Sequence, residues 1–361
     1  MVNKIKLSEY GFTILQIEST AACNMACSFC PYPLKEDKSS KMSIEDIKTI
    51  INQVNPDDEK FKYVTFSQFN EPLLDRRIFE LIEYVQSQGF KVLMITNGLL
   101  LNKEKNIQEL LRLKPDLKIS LQVIEDSTLK ERGLNLEMEA YAKTIFDFCN
   151  RIKGTKLNTV LDIGNQYNNS KIKFYLKKLL GISTGDPAAP KSTKETLDKF
   201  KIFLKKLNKI DSNYIDASKL DELNKNQTES AFEFAPNDHN AEKGFKLAEN
   251  IELKLKHFWY GRKIKDFYPA LDRSFSCHNP ILGIQADGNV APCCLAYDDS
   301  ISQGNIRNKS LKSMLENNEF LKNLRSKDGK KHITCRKCMG EKTRRGVIFQ
   351  YLRRRFNSIF S

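Results

Sequence analysis

The run Cys23-Asn24-Met25-Ala26-Cys27-Ser28-Phe29-Cys30, shortly after the apolar stretch Phe12-Thr13-Ile14-Leu15-Gln16-Ile17, decides how the rest of this chain is read. Three thiols fall within eight residues, on what reads as a loop leaving a strand. Thiolates are soft donors that select zinc, copper(I) or iron–sulfur clusters. Three of them on one tight loop can hold three irons of a [4Fe–4S] cube and leave the fourth iron open to a small molecule. A four-cysteine site is normally closed in this respect. The competing readings are three unrelated core thiols or three-quarters of a zinc site, though zinc more often shows two C-x-x-C pairs.

The surrounding pattern supplies a context for that loop. From Phe12 to about Asn168, short apolar segments alternate with amphipathic ones. Strands are predicted at Thr13–Ile17, Tyr63–Ser67, Lys91–Thr96, Leu117–Val123 and Thr159–Ile163. Helices are predicted at Ser43–Val54, Ile78–Gln88, Lys103–Leu113 and Glu137–Ile152. Ser43 with Asp46 three residues on reads as a helix N-cap, and Gly89 stands where a helix C-terminus favours glycine. Such β-α alternation implies a parallel sheet with right-handed crossovers. Active sites of parallel α/β barrels lie at the C-terminal ends of their strands, where a loop following the first strand belongs. A helical insertion is expected over 171–251, with a sixth strand near Glu252–Trp259.

Beyond Gly261 the character changes to Gly-, Pro- and Cys-bearing loops. Asp287-Gly288-Asn289 between two short apolar runs reads as a tight hairpin turn, and Leu311–Arg325 as one helix. Cys277, Cys293, Cys294, Cys335 and Cys338 put five thiols into 62 residues. A hairpin with a Cys at each end and a C-x-x-C knuckle can converge on one tetrahedral arrangement, which suits zinc as well as a cluster. Cys149 sits in a helical pattern and reads as a core residue. His278 and His332, near these thiols, read as structural histidines or as donors to ligand thiolates.

With 361 residues and 40% hydrophobic content, the chain can bury a sizeable core in one large domain or two ordinary ones. No apolar run reaches the length of a membrane span, and the N-terminus lacks the apolar region of a signal peptide. A cytoplasmic location is the expectation, and there nine Cys point to metal ligation rather than disulfides. The formal charge of +14 is scattered along the chain. It reads as a solvated surface and, with no nucleic-acid-binding motif beside it, makes a nucleic-acid partner a poor fit. The basic amphipathic tail 346–361 reads as docking on its own protein or touching an anionic membrane.

The C-x3-C-x2-C spacing, with Phe29 just before the last Cys, resembles the signature of the radical S-adenosylmethionine (radical SAM) superfamily. The later cysteines resemble the auxiliary-cluster domain called SPASM, or its shortened form, Twitch. This resemblance implies a partial (β/α)6 TIM-type barrel over 1–260 followed by a small Cys-rich α+β domain over 261–345. It implies a SAM-binding [4Fe–4S] cluster on Cys23, Cys27 and Cys30. It further implies one auxiliary [4Fe–4S] cluster on Cys277, Cys293, Cys335 and Cys338, with Cys294 as the alternative to Cys293. The family's Gly-Gly-Glu-Pro segment is matched by Phe69-Asn70-Glu71-Pro72, so Glu71 is expected near the SAM amine, although Phe69 and Asn70 replace the glycines. By the same resemblance Asn97 would meet the ribose. Ser120, Gln122 and Arg132 would meet the ribose and the SAM carboxylate, and Phe29 the adenine or the cluster.

The implied activity is one-electron cleavage of SAM to a 5′-deoxyadenosyl radical, which takes hydrogen from an unactivated C–H bond. A one-electron donor such as flavodoxin or ferredoxin would feed the cluster. With one auxiliary set, the expected substrate is a small polar metabolite such as a sugar or aminocyclitol. The alternatives are a maturase acting on a ribosomally made peptide or protein, which usually carries an N-terminal extension, and a non-enzymatic metal-stabilised module that binds nucleic acid.

Overall fold

In a computed structural model the described residues are 4–27, 30–122, 129–130, 132–165, 244–257, 266–271, 275–293, 297, 299–327, 329–341 and 343–359. Phe29, Cys294 and most of the expected insertion lie outside them.

The strands are β1 (Ile14–Ile17), β2 (Tyr63–Thr65), β3 (Val92–Thr96), β4 (Asp116–Gln122), β5 (Thr159–Asn165), β6 (Gly244–Ala248), β7 (Ile251–His257), β8 (Ile281–Ile284) and β9 (Val290–Ala291). They form one nine-stranded sheet in the order β6-β7-β5-β4-β3-β2-β1-β8-β9. Six of them, β1-β2-β3-β4-β5-β7, run parallel in an unbroken series. Helices α1 (Ile44–Gln53), α2 (Ile78–Ser87), α3 (Glu104–Leu113) and α4 (Met138–Ile152) fill the first four crossovers. This is the mixed α/β sheet of the partial barrel expected from the sequence.

The helices start and bury where their residues dictate. The Ser43 hydroxyl accepts the Asp46 N–H at 2.9 Å and caps α1, satisfying one of the orphan donors of a first turn. Ile47, Ile50 and Ile51 of α1 and Leu81, Ile82 and Val85 of α2 pack with Leu15, Ile17 and Val64 in the main core. Cys149 is buried in that core, as read. The opposite sheet face carries a smaller apolar cluster of Tyr63, Leu93 and Val160. Along β4 and β7, Leu117, Ile119, Leu121 and Leu253 face the helices. Side chains alternate along a strand, so Lys118, Ser120, Glu252 and Lys254 point into the barrel.

The C-terminal segment adds to the same sheet. β8 pairs parallel with β1 and β9 returns antiparallel to β8, with Gly288 in the connecting turn at φ 94°. A Cβ there would stand 2.7 Å from Asn305 Oδ1, so both the positive φ and the close approach require glycine. The helix expected over Leu311–Arg325 is two helices, α5 (Leu311–Leu315) and α6 (Glu319–Arg325). Asn317 turns into the left-handed region at φ 52°, and the Asn318 side chain caps α6 by accepting the Leu321 N–H at 3.1 Å. Asn tolerates that conformation better than most residues. A second correction is β6: the end of the stretch expected to be helical is a strand, antiparallel to β7. α7 (Ile333–Cys338) and α8 (Arg344–Ile359) complete the chain. Val347 of α8 is buried while Ile348, Phe349 and Leu352 are exposed.

Candidate active site and second cysteine centre

β1 runs on into Glu18-Ser19-Thr20, all buried, and the thiol loop leaves the sheet from there. Several elements pin that loop. The Tyr32 hydroxyl both accepts the Cys23 N–H at 3.1 Å and donates to the Cys23 carbonyl at 3.2 Å. Tyr32 N–H points at Cys30 Sγ, 3.4 Å away. Glu71 N–H donates to the Ala22 carbonyl at 2.9 Å, and Ala26 N–H to the Arg132 carbonyl at 3.0 Å. Asn97 Nδ2 donates to Asn24 Oδ1 at 2.7 Å. The loop carrying Cys23, Cys27 and Cys30 is thereby tied to the loops after β2, β3 and β4.

Glu71 is 1% exposed. Its carboxylate accepts from Leu73 N–H, the Thr96 hydroxyl and Asn97 N–H at 3.1, 2.7 and 2.8 Å. Burial pushes its pKa up to about 7 against these lowering hydrogen bonds. The missing glycines have a local answer. Asn70 Oδ1 accepts the Gln68 N–H at 2.9 Å and its Nδ2 donates to the Phe66 carbonyl at 3.0 Å, while neither Phe69 nor Asn70 takes a positive φ. This backbone path therefore does not need glycine.

Asn97 and Arg132 are buried, whereas Ser120 is partly exposed. Gln122 ends β4, where a bulge between Ser120 and Gln122 shifts the register with β5. Such bulges are common next to active sites. The Arg132 guanidinium also holds groups of the chain itself. Nη1 donates to the Leu121 carbonyl at 3.0 Å and the Tyr141 hydroxyl at 2.9 Å, and Nη2 to the Ser120 carbonyl at 2.9 Å.

Three features here escaped the sequence reading. Glu18, fully buried, pairs with Lys35 at 2.6 Å and also accepts from Phe69 N–H and Ala286 N–H at 3.1 and 3.3 Å. Tyr141 reaches from α4 to the Asn97 carbonyl at 2.5 Å. Inside the barrel Lys118 pairs with Asp162 at 2.8 Å. The signal for the last was present: Asp116-Leu-Lys-Ile-Ser-Leu-Gln122 and Ile251-Glu-Leu-Lys-Leu-Lys-His257 alternate strictly, whereas strands buried on two apolar faces read as continuous hydrophobic runs.

The second centre assembles from distant segments. Cys277 precedes β8, Cys293 follows β9, and Cys335 and Cys338 stand one turn apart on α7. All four line one cavity of about 370 Å³, with Phe275, Pro292, Phe320, Leu324 and Met339 among its walls. The His332 ring accepts the Thr334 N–H and caps α7, a structural role. His278 bonds the Ser276 hydroxyl at 2.8 Å.

Both thiol sets have the soft donors of a cluster site. Burial pushes Cys23, Cys30, Cys335 and Cys338 up to about 12. Thiolates there require strongly positive partners, which a bound metal supplies.

Comparison with known proteins agrees. Residues 17–172 match the model of the radical SAM superfamily, and residues 276–339 match that of SPASM, an iron–sulfur cluster-binding domain. A 106-residue stretch is 32% identical to the tungsten-containing aldehyde ferredoxin oxidoreductase cofactor-modifying protein of Pyrococcus furiosus, covering 28% of each chain. Among solved structures, BtrN in complex with AdoMet and 2-DOIA is 16% identical with a TM-score of 0.43, over 91% of this chain and 89% of that one. Streptococcus suis SuiB bound to S-adenosylmethionine is 16% identical with a TM-score of 0.47, over 87% and 68%.

Proposed function

This chain belongs to the radical SAM superfamily and carries a C-terminal SPASM domain, and on that premise we propose that it oxidises a small polar metabolite of the sugar or aminocyclitol kind. Membership sets aside the non-enzymatic module and the zinc reading of the second centre. The observation that carries the proposal is the single cavity ringed by Cys277, Cys293, Cys335 and Cys338. Four thiols make one auxiliary [4Fe–4S] cluster, and one such cluster can accept the single electron that turns hydrogen abstraction into net oxidation. Cys294 is the alternative ligand to Cys293.

Cys23, Cys27 and Cys30 hold the SAM cluster in this reading. With SAM bound, that cluster supplies reductive cleavage to methionine and a hydrogen-abstracting 5′-deoxyadenosyl radical. The protein's own work is positioning and exclusion of side reactions. Glu71 braces the turn after β3 and lends negative charge toward the SAM ammonium group, Asn97 faces the ribose, and Ser120 and Gln122 stand at the end of β4. Flavodoxin or ferredoxin in the cytoplasm is the electron source. The core spans 1–260, the auxiliary domain 261–345 and the basic tail 346–361.

Anaerobic incubation of the reconstituted enzyme with SAM, reductant and deuterated polyol and aminocyclitol pools tests this. Deuterium should enter 5′-deoxyadenosine together with a carbonyl product. Transfer from a deuterated peptide, with none from the polyols, would replace the proposal by the peptide-maturase reading.

A further inference from the structure

Arg132 is 3% exposed and forms no ion pair among the described residues. Three of its five N–H donors go to the neutral acceptors of β4 and Tyr141, and its Nε is buried without a partner. A buried cation held only by neutral groups is costly unless an anion lies near. Its candidate anion is Cys27, on the thiol loop that Arg132 holds through Ala26, with the buried Glu71 carboxylate also in Coulombic range.

The backbone brings the two together. Ala26, the residue before Cys27, donates its N–H to the Arg132 carbonyl at 3.0 Å. Gly133 has φ 72°, and a Cβ on it would stand 2.9 Å from Ala26 Cβ. Only glycine lets this turn close so tightly on the thiol loop. Tyr141 bonds both the guanidinium and the Asn97 carbonyl, and Asn97 in turn bonds Asn24 of the same loop. The result is a closed ring running from the thiol loop through the β4 turn, α4 and the β3 turn, and back.

We propose that Arg132 is a positioning residue for the SAM cluster, holding the thiol loop through Ala26 and placing its buried positive charge beside that loop. The proposal rests on Cys27 being a ligand. A ligating thiolate on that loop is an anion near the buried guanidinium, in addition to the Glu71 carboxylate. Hydrogen bonds to ligand sulfurs and nearby charge set the potential of a cluster. A cation here stabilises the more negative, reduced state, and so raises the potential and eases the first electron.

Redox titration of the reconstituted enzyme, followed by the EPR signal that SAM perturbs, tests this in wild type, Arg132→Gln and Arg132→Lys. For Arg132→Gln the ratio of reduced to oxidised cluster at fixed potential should fall about tenfold, a shift of about 59 mV to more negative values for a one-electron couple. Arg132→Lys, which keeps the charge and loses the fork, should recover part of that shift. SAM binding, measured by anaerobic equilibrium dialysis, should change little. An unchanged midpoint in Arg132→Lys and Arg132→Gln would overturn the proposal; if SAM affinity fell as well, the fork would belong to the SAM carboxylate. Should Arg132→Gln fail to fold, Arg132→Lys and Tyr141→Phe decide: each should lower the midpoint, and no shift in either refutes the action of the Arg132 charge on the cluster. Absence of a SAM-perturbed cluster signal in the wild type would instead refute Cys27 as a ligand.

Discussion

The two cysteine centres are built in opposite ways. Cys23, Cys27 and Cys30 come from one loop of eight residues, and the fold's task is to hold that loop still from outside, through Tyr32, Glu71, Asn97 and Arg132. Cys277, Cys293, Cys335 and Cys338 come from three separate places, and there the fold brings the thiols together. A local site is specified by spacing, whereas a dispersed one exists only once the chain around it is folded. Metal binding then contributes directly to folding of the dispersed site.

Two substitutions set that contrast at its sharpest. Cys27→Ala should reduce SAM cleavage at least about a thousandfold, out of the ~10⁶-fold or greater acceleration usual for enzymes, while leaving the thermal transition almost unmoved. Cys335→Ala should permit abortive cleavage to 5′-deoxyadenosine, give no oxidised product, lose the auxiliary iron and lower the melting temperature. Assay of 5′-deoxyadenosine with iron analysis and calorimetry checks both. Equal stability losses would erase the distinction.

Lys35→Met probes what holds the first loop from outside. It strands a fully buried Glu18 carboxylate, and removing one partner of such a pair costs about 3–5 kcal/mol. Urea unfolding reads this, and a loss below about 1 kcal/mol would mean the pair behaves like a surface one.

Glu71 adds a pH signature. Burial raises its carboxyl from 4.5 to about 7, so the folded protein binds that proton more tightly than the unfolded chain does. Its contribution to stability is therefore fully present below pH 4.5 and lost as pH rises through 7. SAM binding should show the reverse trend, strengthening between pH 6 and 8 as the carboxylate forms opposite the SAM ammonium group. Glu71→Gln should flatten that rise in a dialysis titration, and a rise that persists in the variant would assign the titration to another group.

The smallest expected effect lies on the dispersed side. Asn318→Ala removes the α6 cap, worth about 1 kcal/mol, and should loosen the wall of the second cavity formed by Phe320 and Leu324. Denaturant unfolding with auxiliary iron content as a second readout would show it. Unchanged iron retention would mean that this helix does not brace the site.

Much of this was legible in the chain. The five strands read between Phe12 and Asn168 and their four helices lie within a few residues of the expected bounds, because parallel strands and amphipathic helices advertise themselves by different periods. The thiol spacing was legible for the reason given above. Glu18 was not, because its partners Lys35, Phe69 and Ala286 lie up to 268 residues away. The pairing of Lys118 with Asp162 was hidden because the two stand on separate strands, although the strict alternation of β4 marked a polar barrel interior. The α5–α6 break was missed because Leu311–Arg325 keeps an apolar stripe through it; Glu316-Asn317-Asn318 held the only clue. Arg132 was placed near the SAM ribose and carboxylate by resemblance alone; the bonds of its side chain to the Ser120 and Leu121 carbonyls had no signal in the sequence.

The pairing of β8 with β1 has a mechanical outcome. The strand that launches the thiol loop is splinted on its outer flank by the C-terminal hairpin. Cys23 follows the C-terminal end of β1 and Cys277 precedes the N-terminal end of β8, so the two cysteine sets leave this pair of strands from opposite ends. Removing the hairpin would bare the flank of β1 as a sticky edge open to pairing with other chains.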